Sequence, residues 1–151
     1  MIPRLTVLFT ITALAGAGVA AEKNLALKDV PPAVQKTIQD NLKGGQIRNI
    51  GKETEDGVAQ YEVETMLNGK HRDFNVDTKG NLVVVEEQTT IDAIPAAAKA
   101  AILKKVGSGK LRTVETFQKP GAELMYEAGY TTKSGKHAEV LVKADGTETK
   151  E

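Results

Sequence analysis

Apolar residues recur every three or four positions in two stretches of the chain, one after Pro31 and one after Pro95. Both stretches end at glycines, Gly44-Gly45 in the first case and Gly107 in the second. Proline in the first turn and glycine after the last turn are typical of helix boundaries. The pattern therefore predicts two helices. The apolar stripes are, in chain order, Val34, Ile38, Leu42, Ala98, Ile102 and Val106.

After each predicted helix the apolar period changes to two, which indicates strands with one polar side. Arg72, Phe74 and Val76, for example, alternate with His71, Asp73 and Asn75. Turn-forming residues such as Asn68-Gly69 and Ser134-Gly135 separate the alternating segments, so we expect antiparallel meanders. The predicted strands cover residues 47–53, 60–67, 70–77, 81–87, 110–118, 124–131, 136–143 and 147–151.

The two halves of this pattern resemble each other. Pro31 and Pro95 are 64 residues apart, Tyr61 and Tyr126 are 65 apart, and His71 and His137 are 66 apart. Duplication of one unit is the simplest interpretation, and chance similarity of two helix-plus-strand segments is the alternative. The predicted fold class is α+β, with two tandem repeats, residues 22–88 and 89–151, each one helix packed on an antiparallel sheet of about four strands. Since units of about 60 residues bury little apolar surface, we expect the two sheets to join into one larger sheet.

The first 21 residues differ from the rest. Arg4 gives a positive start, residues 5–15 are mostly apolar, and small residues follow up to Ala20 and Ala21. This is the pattern of a secretory signal peptide, with cleavage predicted after Ala20 or Ala21. We expect a periplasmic or secreted protein that keeps no membrane anchor after cleavage. The chain contains no cysteine, so neither disulfides nor a lipid-modified cysteine can form.

Charge and motifs exclude several function classes. The 20 basic and 20 acidic residues balance, and no basic cluster offers a nucleic-acid surface. With no cysteine, two histidines and no sequence motif of a serine hydrolase, zinc hydrolase or phosphate loop, we predict that the chain is not an enzyme and needs no cofactor.

The candidate binding residues lie on the polar side of the predicted strands. His71 and His137 occupy matching positions, each two residues before an acid, so imidazole and carboxylate can share a face. Metal binding by these groups is one interpretation, and solvated residues inherited by duplication are the other. A protein-binding surface is favoured over a metal site, with Leu141 as an apolar contact among polar neighbours. The candidate residues are Glu62, Glu64, His71, Asp73, Glu127, His137, Glu139 and Leu141.

Several short motifs together resemble a known family. Val30-Pro31 and Ile94-Pro95 open the helices, Tyr61-Glu62-Val63 and Tyr126-Glu127-Ala128 follow, and strands end near Gly80 and Gly146. With the leader, this order is similar to tandem PepSY-like domains of exported bacterial proteins, including the β-lactamase-inhibitor-protein-like group. The resemblance implies a helix on an antiparallel sheet, in tandem, and binding or inhibition of secreted proteins such as proteases.

The resulting hypothesis is an exported, non-enzymatic PepSY-like module. It would bind, or bind and inhibit, another protein or peptide of the cell envelope, such as a secreted protease, through its sheet face and loops. The alternative is an envelope protein that binds a small ligand or a metal ion.

Overall fold

The computed structural model of the protein describes residues 24–55 and 57–150. The predicted signal peptide, residues 1–21, lies outside them. A short 3-10 turn, Leu27–Asp29, precedes two helices and nine strands. The helices are α1 (Pro32–Asn41) and α2 (Ala96–Val106). The strands are β1 (Gln46–Glu55), β2 (Val58–Leu67), β3 (Lys70–Asp77), β4 (Leu82–Gln88), β5 (Lys110–Leu111), β6 (Glu115–Gln118), β7 (Met125–Thr131), β8 (His137–Lys143) and β9 (Glu148–Thr149).

All nine strands belong to one antiparallel sheet. Eight of them follow the order β1-β2-β3-β4-β6-β7-β8-β9, and β5 pairs with β7 outside this path. The pairing of β4 with β6 runs from Val85 opposite Gln118 to Gln88 opposite Glu115. The first four strands and the last five are thereby one continuous hydrogen-bonded layer.

The predicted fold class is wrong at this level. We expected two tandem repeats, each one helix packed on an antiparallel sheet of about four strands, with the two sheets joined, whereas the structure is mostly a single nine-stranded antiparallel sheet with two helices and is not divided into two such repeats. The segment 110–118, predicted as one strand, is divided because the N–H groups of Arg112 and Thr113 both donate to the carbonyl of Gly129. Strand periodicity indicates which residues share a face, but it does not identify the neighbouring strand, and this is why the pattern could not settle the sheet.

The two helical stripes are confirmed as the apolar sides of the helices. Val34 and Ile38 of α1 are fully buried, as are Ala98 and Ile102 of α2. Each helix covers its own apolar cluster on the same side of the sheet. The strand residues beneath α1 are Ile50, Tyr61, Val63, Phe74 and Val76. The strand residues beneath α2 are Ala128, Tyr130, Val140 and Val142.

A buried arginine fixes the end of α1 to the sheet. Arg72 is 3% exposed, and its Nη1 donates to the carbonyl of Asn41, the last residue of α1, at 2.7 Å. Its Nε donates to Oε1 of Glu87 on β4 at 2.8 Å, and its guanidinium lies 5.5 Å from the ring centre of Phe74. A positive group near the carbonyl end of a helix also complements the helix dipole.

Two turn glycines allow loops of the sheet to contact the helices. Gly80 and Gly146 have φ angles of 90° and 85°, which residues with a Cβ rarely adopt. A Cβ at Gly80 would lie 2.8 Å from Ala33, and one at Gly146 would lie 2.7 Å from the carbonyl oxygen of Ala97. Neither helix of the described residues is long and apolar enough to span a membrane.

Candidate binding face

The side of the sheet turned away from α1 and α2 is acidic. Successive strand residues point to opposite faces, so Glu62 and Glu64 project away from the helices when Tyr61 and Val63 pack beneath α1. The same argument, carried across the strand pairings, places acids of seven strands on one side. We call this side the acidic face. Its acids include Glu53, Glu62, Glu64, Asp73, Glu86, Glu115, Glu127 and Glu139.

Strand register places several of these acids beside one another. Asp73 on β3 lies directly opposite Glu86 on β4. Glu115 on β6 lies directly opposite Glu127 on β7. Like charges at directly opposed positions destabilise a sheet. The acidic face therefore carries arrangements that sheet stability alone would disfavour.

Burial and neighbouring charge raise the pKa values of two of these carboxyls. Loss of hydration raises the pKa of Asp73 to about 6, opposed by the hydrogen bond from the Thr65 N–H and by the charge of His71, and reinforced by the charge of Glu64. Loss of hydration also raises the pKa of Glu115 to about 7, and the negative charges of Asp73 and Glu139 add to this effect. Near neutral pH the face therefore exchanges protons with solvent.

An apolar cluster lies among these acids. It consists of Val84 on β4, Phe117 on β6 and Leu141 on β8, with Met125 of β7 packed against them. The Nζ of Lys119 lies 5.5 Å from the ring centre of Phe117. The cluster is centred where β4 meets β6, at the junction of the first four strands with the rest.

All eight residues predicted from sequence lie on the acidic face. They differ in exposure: His71, His137 and Glu139 are exposed, Glu62 and Glu64 are half-buried, and Asp73 and Glu127 are buried. Leu141 is only 5% exposed and packs with Val84 and Phe117, so the expectation of an apolar side chain presented to solvent is wrong.

The two histidines are not brought together. Between His71 on β3 and His137 on β8 the sheet has four strand spacings, about 19 Å at the usual separation of neighbouring strands. Across residues 24–55 and 57–150, no group of three or more histidine or acidic residues is arranged to hold a metal ion.

Sequence reasoning missed Glu86, Glu115 and Phe117. Glu86 and its neighbour Glu87 point to opposite faces of β4, and Glu87 accepts a hydrogen bond from Arg72 on the helix side. The sequence spacing of Glu115 and Phe117 indicates that they share one face of β6. It does not identify the neighbouring strand, and therefore it could not predict that these residues lie opposite Glu127 and Met125.

Comparison with known proteins gives a match in structure. The chain matches no protein-family model and no curated protein. A crystal structure of a protein thought to be periplasmic, from Bacteroides eggerthii, superposes with a TM-score of 0.63 at 17% identity, covering 80% of this chain and 86% of that one. A DUF2874 family protein from Bacteroides uniformis gives a TM-score of 0.63 at 15% identity, covering 80% and 87%.

A BLIP-like protein from Bacteroides fragilis gives a TM-score of 0.57 at 16% identity, covering 80% of this chain and 84% of that one. The chain has a BLIP-like fold. The part of the sequence resemblance that concerned β-lactamase-inhibitor-protein-like proteins is thus supported as a fold, whereas none of these three structures is described as a PepSY protein.

Proposed function

We propose that the chain is an exported, non-enzymatic module that binds another protein or peptide of the cell envelope through its acidic face. Binding would sterically block the functional surface of the partner, in the way that a protein inhibitor blocks the active site of a secreted protease. The observation that carries the proposal is the concentration of acids on one side of a sheet whose other side already supports both helices.

The charge of this face indicates the chemistry of the partner. The whole chain has a net charge of zero, yet the eight acids named above share one face. Of the lysines on this face, Lys143 pairs with Glu123 at 2.5 Å and Lys119 lies against the Phe117 ring. A partner surface rich in lysine or arginine complements such a face and would be attracted to it over several ångströms.

The arrangement of apolar and charged groups also fits a binding surface. Protein interfaces commonly have an apolar centre and a polar rim. On the acidic face, Val84, Phe117 and Leu141 form a central apolar cluster that is itself buried, with each side chain at most 5% exposed, and acids surround it on β3, β4, β7 and β8. The Lys119 side chain beside Phe117 is a group that could move aside to admit a partner side chain.

Export is supported by two independent features. The first 21 residues have the charge and apolar pattern of a signal peptide. The Bacteroides eggerthii structure with the same fold is thought to be periplasmic. Both support the proposal of a partner in the cell envelope or outside the cell.

A pair of matched charge reversals tests the proposal. The face variant carries Glu64→Lys and Glu139→Lys, both on the acidic face. The control variant carries Asp40→Lys and Asp92→Lys, which are exposed on and beside the helices and change the net charge by the same amount. Each processed protein is used as bait for crosslinked capture from the envelope fraction of the source cells.

The proposal expects one protein to be captured by the wild type and by the control and to be reduced at least tenfold with the face variant. The same protein should be released by raised salt, because exposed charge pairs are screened. Equal capture by all three baits would place the binding surface elsewhere. Capture that resists salt would contradict the proposed partner chemistry.

A further inference from the structure

Both helices begin at the same end of the sheet. A Cβ at Gly80, in the turn between β3 and β4, would contact Ala33 near the start of α1. A Cβ at Gly146, in the turn between β8 and β9, would contact Ala97 near the start of α2. Because successive turns of an antiparallel sheet alternate between its two ends, the last turns of both helices lie at the opposite end, together with the β2–β3 and β7–β8 turns.

Basic residues that are scattered along the sequence are brought together at this second end. Four segments outside the helices form it, 42–45, 67–71, 107–112 and 131–137. None of these segments contains an acidic or an aromatic residue. We call their exposed lysines and arginine the basic rim. It consists of Lys43, Lys70, Lys110, Arg112, Lys133 and Lys136.

The other end of the sheet does not have this excess of positive charge. Asp77 precedes Lys79 at the β3–β4 turn, and Asp145 lies in the β8–β9 turn. Between β6 and β7, Glu123 pairs with Lys143 at 2.5 Å. The basic rim is therefore a local concentration of positive charge in a chain whose net charge is zero.

Helix ends and ion pairs account for only part of the positive charge at this end. Basic residues in the last turn of a helix complement its dipole, which explains Lys104 and Lys105 of α2. Lys110, Lys133 and Lys136 belong to β5 and the β7–β8 turn, outside the last turn of either helix. In the described part of the chain, no ion pair includes a side chain of the basic rim. The position of these three lysines is thus not explained by the stability of the fold.

Strand pairing brings the three lysines close together. Lys110 on β5 lies opposite Thr131 on β7, and Thr131 lies opposite His137 on β8. Lys133 and Lys136 are in the turn that joins β7 to β8. Since neighbouring strands are about 4.8 Å apart, the backbone positions of the three lysines lie within roughly 15 Å of one another.

The composition of the basic rim favours an extended anionic surface over a nucleic-acid strand or a single phosphate group. Lysine acts as a point charge, whereas arginine suits bidentate recognition of phosphate, and Arg112 is the only arginine of these segments. The segments also have no aromatic ring on which a base could stack. Leu103, 44% exposed in the last turn of α2, adds an apolar side chain at this end. Lysines beside an exposed apolar residue are typical of surfaces that bind anionic lipid.

We propose that the basic rim holds the protein against a negatively charged phospholipid surface. The strands then run roughly along the membrane normal, and the acidic face points sideways instead of toward the lipid. Because residues 1–21 have the pattern of a signal peptide, this surface belongs to the cell envelope. The inference does not depend on the proposed function, since lipid vesicles are sufficient to test it.

Flotation of the processed protein with lipid vesicles tests the proposal. At low salt, the protein should float with vesicles of equal parts phosphatidylglycerol and phosphatidylcholine, and not with vesicles of phosphatidylcholine alone. Each lysine close to an anionic bilayer strengthens binding roughly fivefold. A rim variant with Lys110→Gln, Lys133→Gln and Lys136→Gln should therefore have a ratio of bound to free protein at least about tenfold lower than the wild type.

The matched control variant carries Lys36→Gln, Lys52→Gln and Lys79→Gln. It removes the same charge from exposed positions on α1, on β1 and in the β3–β4 turn, and it should reduce binding by less than about threefold. Inorganic phosphate should release the wild type no better than sodium chloride of equal ionic strength, because a spread-out charge attraction is weakened by screening alone.

Single cysteines can report the orientation, because the chain has none of its own. Ser108→Cys lies in the loop after α2, and Thr78→Cys lies in the β3–β4 turn at the other end, both at exposed positions. A polarity-sensitive fluorophore should shift its emission on addition of anionic vesicles at the first position and not at the second.

Four results would overturn the proposal. They are a failure of the wild type to float with the anionic vesicles, equal losses in the rim and control variants, preferential release by phosphate, and equal emission shifts at the two labelled positions. Preferential release by phosphate would indicate a site for a free phosphate group instead of a lipid surface.

Discussion

The two faces of the sheet differ in the kind of side chains that lie next to one another. On the helix side, apolar residues pack in two clusters, and the main charged residue, Arg72, has a bonding partner on α1 and another on β4. On the acidic face, carboxyls lie opposite carboxyls, as Glu115 does to Glu127. Local arrangements that disfavour stability occur most often where a protein has another task. The comparison teaches that the helix side holds the packed apolar clusters, whereas the acidic face concentrates carboxyls, two of which have raised pKa values.

The largest expected effect is on the helix side. Phe74 is 1% exposed beneath α1, and Phe74→Ala should lower the free energy of unfolding by about 3–5 kcal/mol through lost burial and a cavity. Urea denaturation measures this loss. The folded fraction should still capture the envelope partner. If folded Phe74→Ala no longer captured the partner, the helix side would also be involved in binding, and the proposed separation of stability and binding between the two faces would be wrong.

Removal of the buried arginine should have the next largest effect. Arg72→Ala deletes the bond to the Asn41 carbonyl and the packing over Phe74, and we expect a loss of about 2 kcal/mol. The cost is moderate because its partner Glu87 stays half exposed to water. Arg112→Ala, at an exposed position, is the matched control and should change stability by less than about 0.5 kcal/mol. Equal effects of the two substitutions would show that the contacts of Arg72 with Asn41 and Phe74 do not contribute to stability.

A smaller effect is expected on the acidic face. Above neutral pH, a substitution there should raise the free energy of unfolding relative to the wild type, whereas the two helix-side substitutions lower it. Wild-type stability should decrease from pH 5 to pH 8, because Asp73 and Glu115 have pKa values of about 6 and about 7 in the fold. Glu115→Gln should reduce that decrease by roughly 1–2 kcal/mol. Urea unfolding at both pH values measures the difference. If the decrease persists in full in Glu115→Gln, then Asp73 or another group is responsible.

The smallest effect is expected for the exposed histidines. His71→Ala with His137→Ala should change stability by less than about 0.5 kcal/mol, since neither side chain is buried. Melting curves with and without 1 mM Zn²⁺ should coincide, because the two residues lie four strands apart. A zinc-dependent rise in Tm that disappears in the double variant would instead support the metal-binding alternative.

The sequence was most informative where contacts are local. Spacing after Pro31 and Pro95 predicted both helices and their buried residues, and alternation placed Arg72 with Phe74 and His71 with Asp73 on the correct faces. Local pattern could not predict which strand lies beside β4, because that depends on contacts between residues about 30 positions apart, such as Glu87 and Thr116. The strand order β4-β6-β7, the burial of Leu141 and the Glu115–Glu127 pair all depend on this pairing, and so they required the structure.

The late position of β6 in the chain has a consequence for synthesis. β1 to β4 pair with their immediate neighbours in sequence, so the first hairpins can form as soon as they emerge. The outer edge of β4 then stays unpaired while α2 and β5 are synthesised, because its partner β6 comes after them in the chain. An uncovered strand edge is a template for pairing with other chains. The growing chain is therefore most exposed to misassembly during the emergence of the roughly 30 residues after Gln88, and a chaperone that shields strand edges would protect it at that stage.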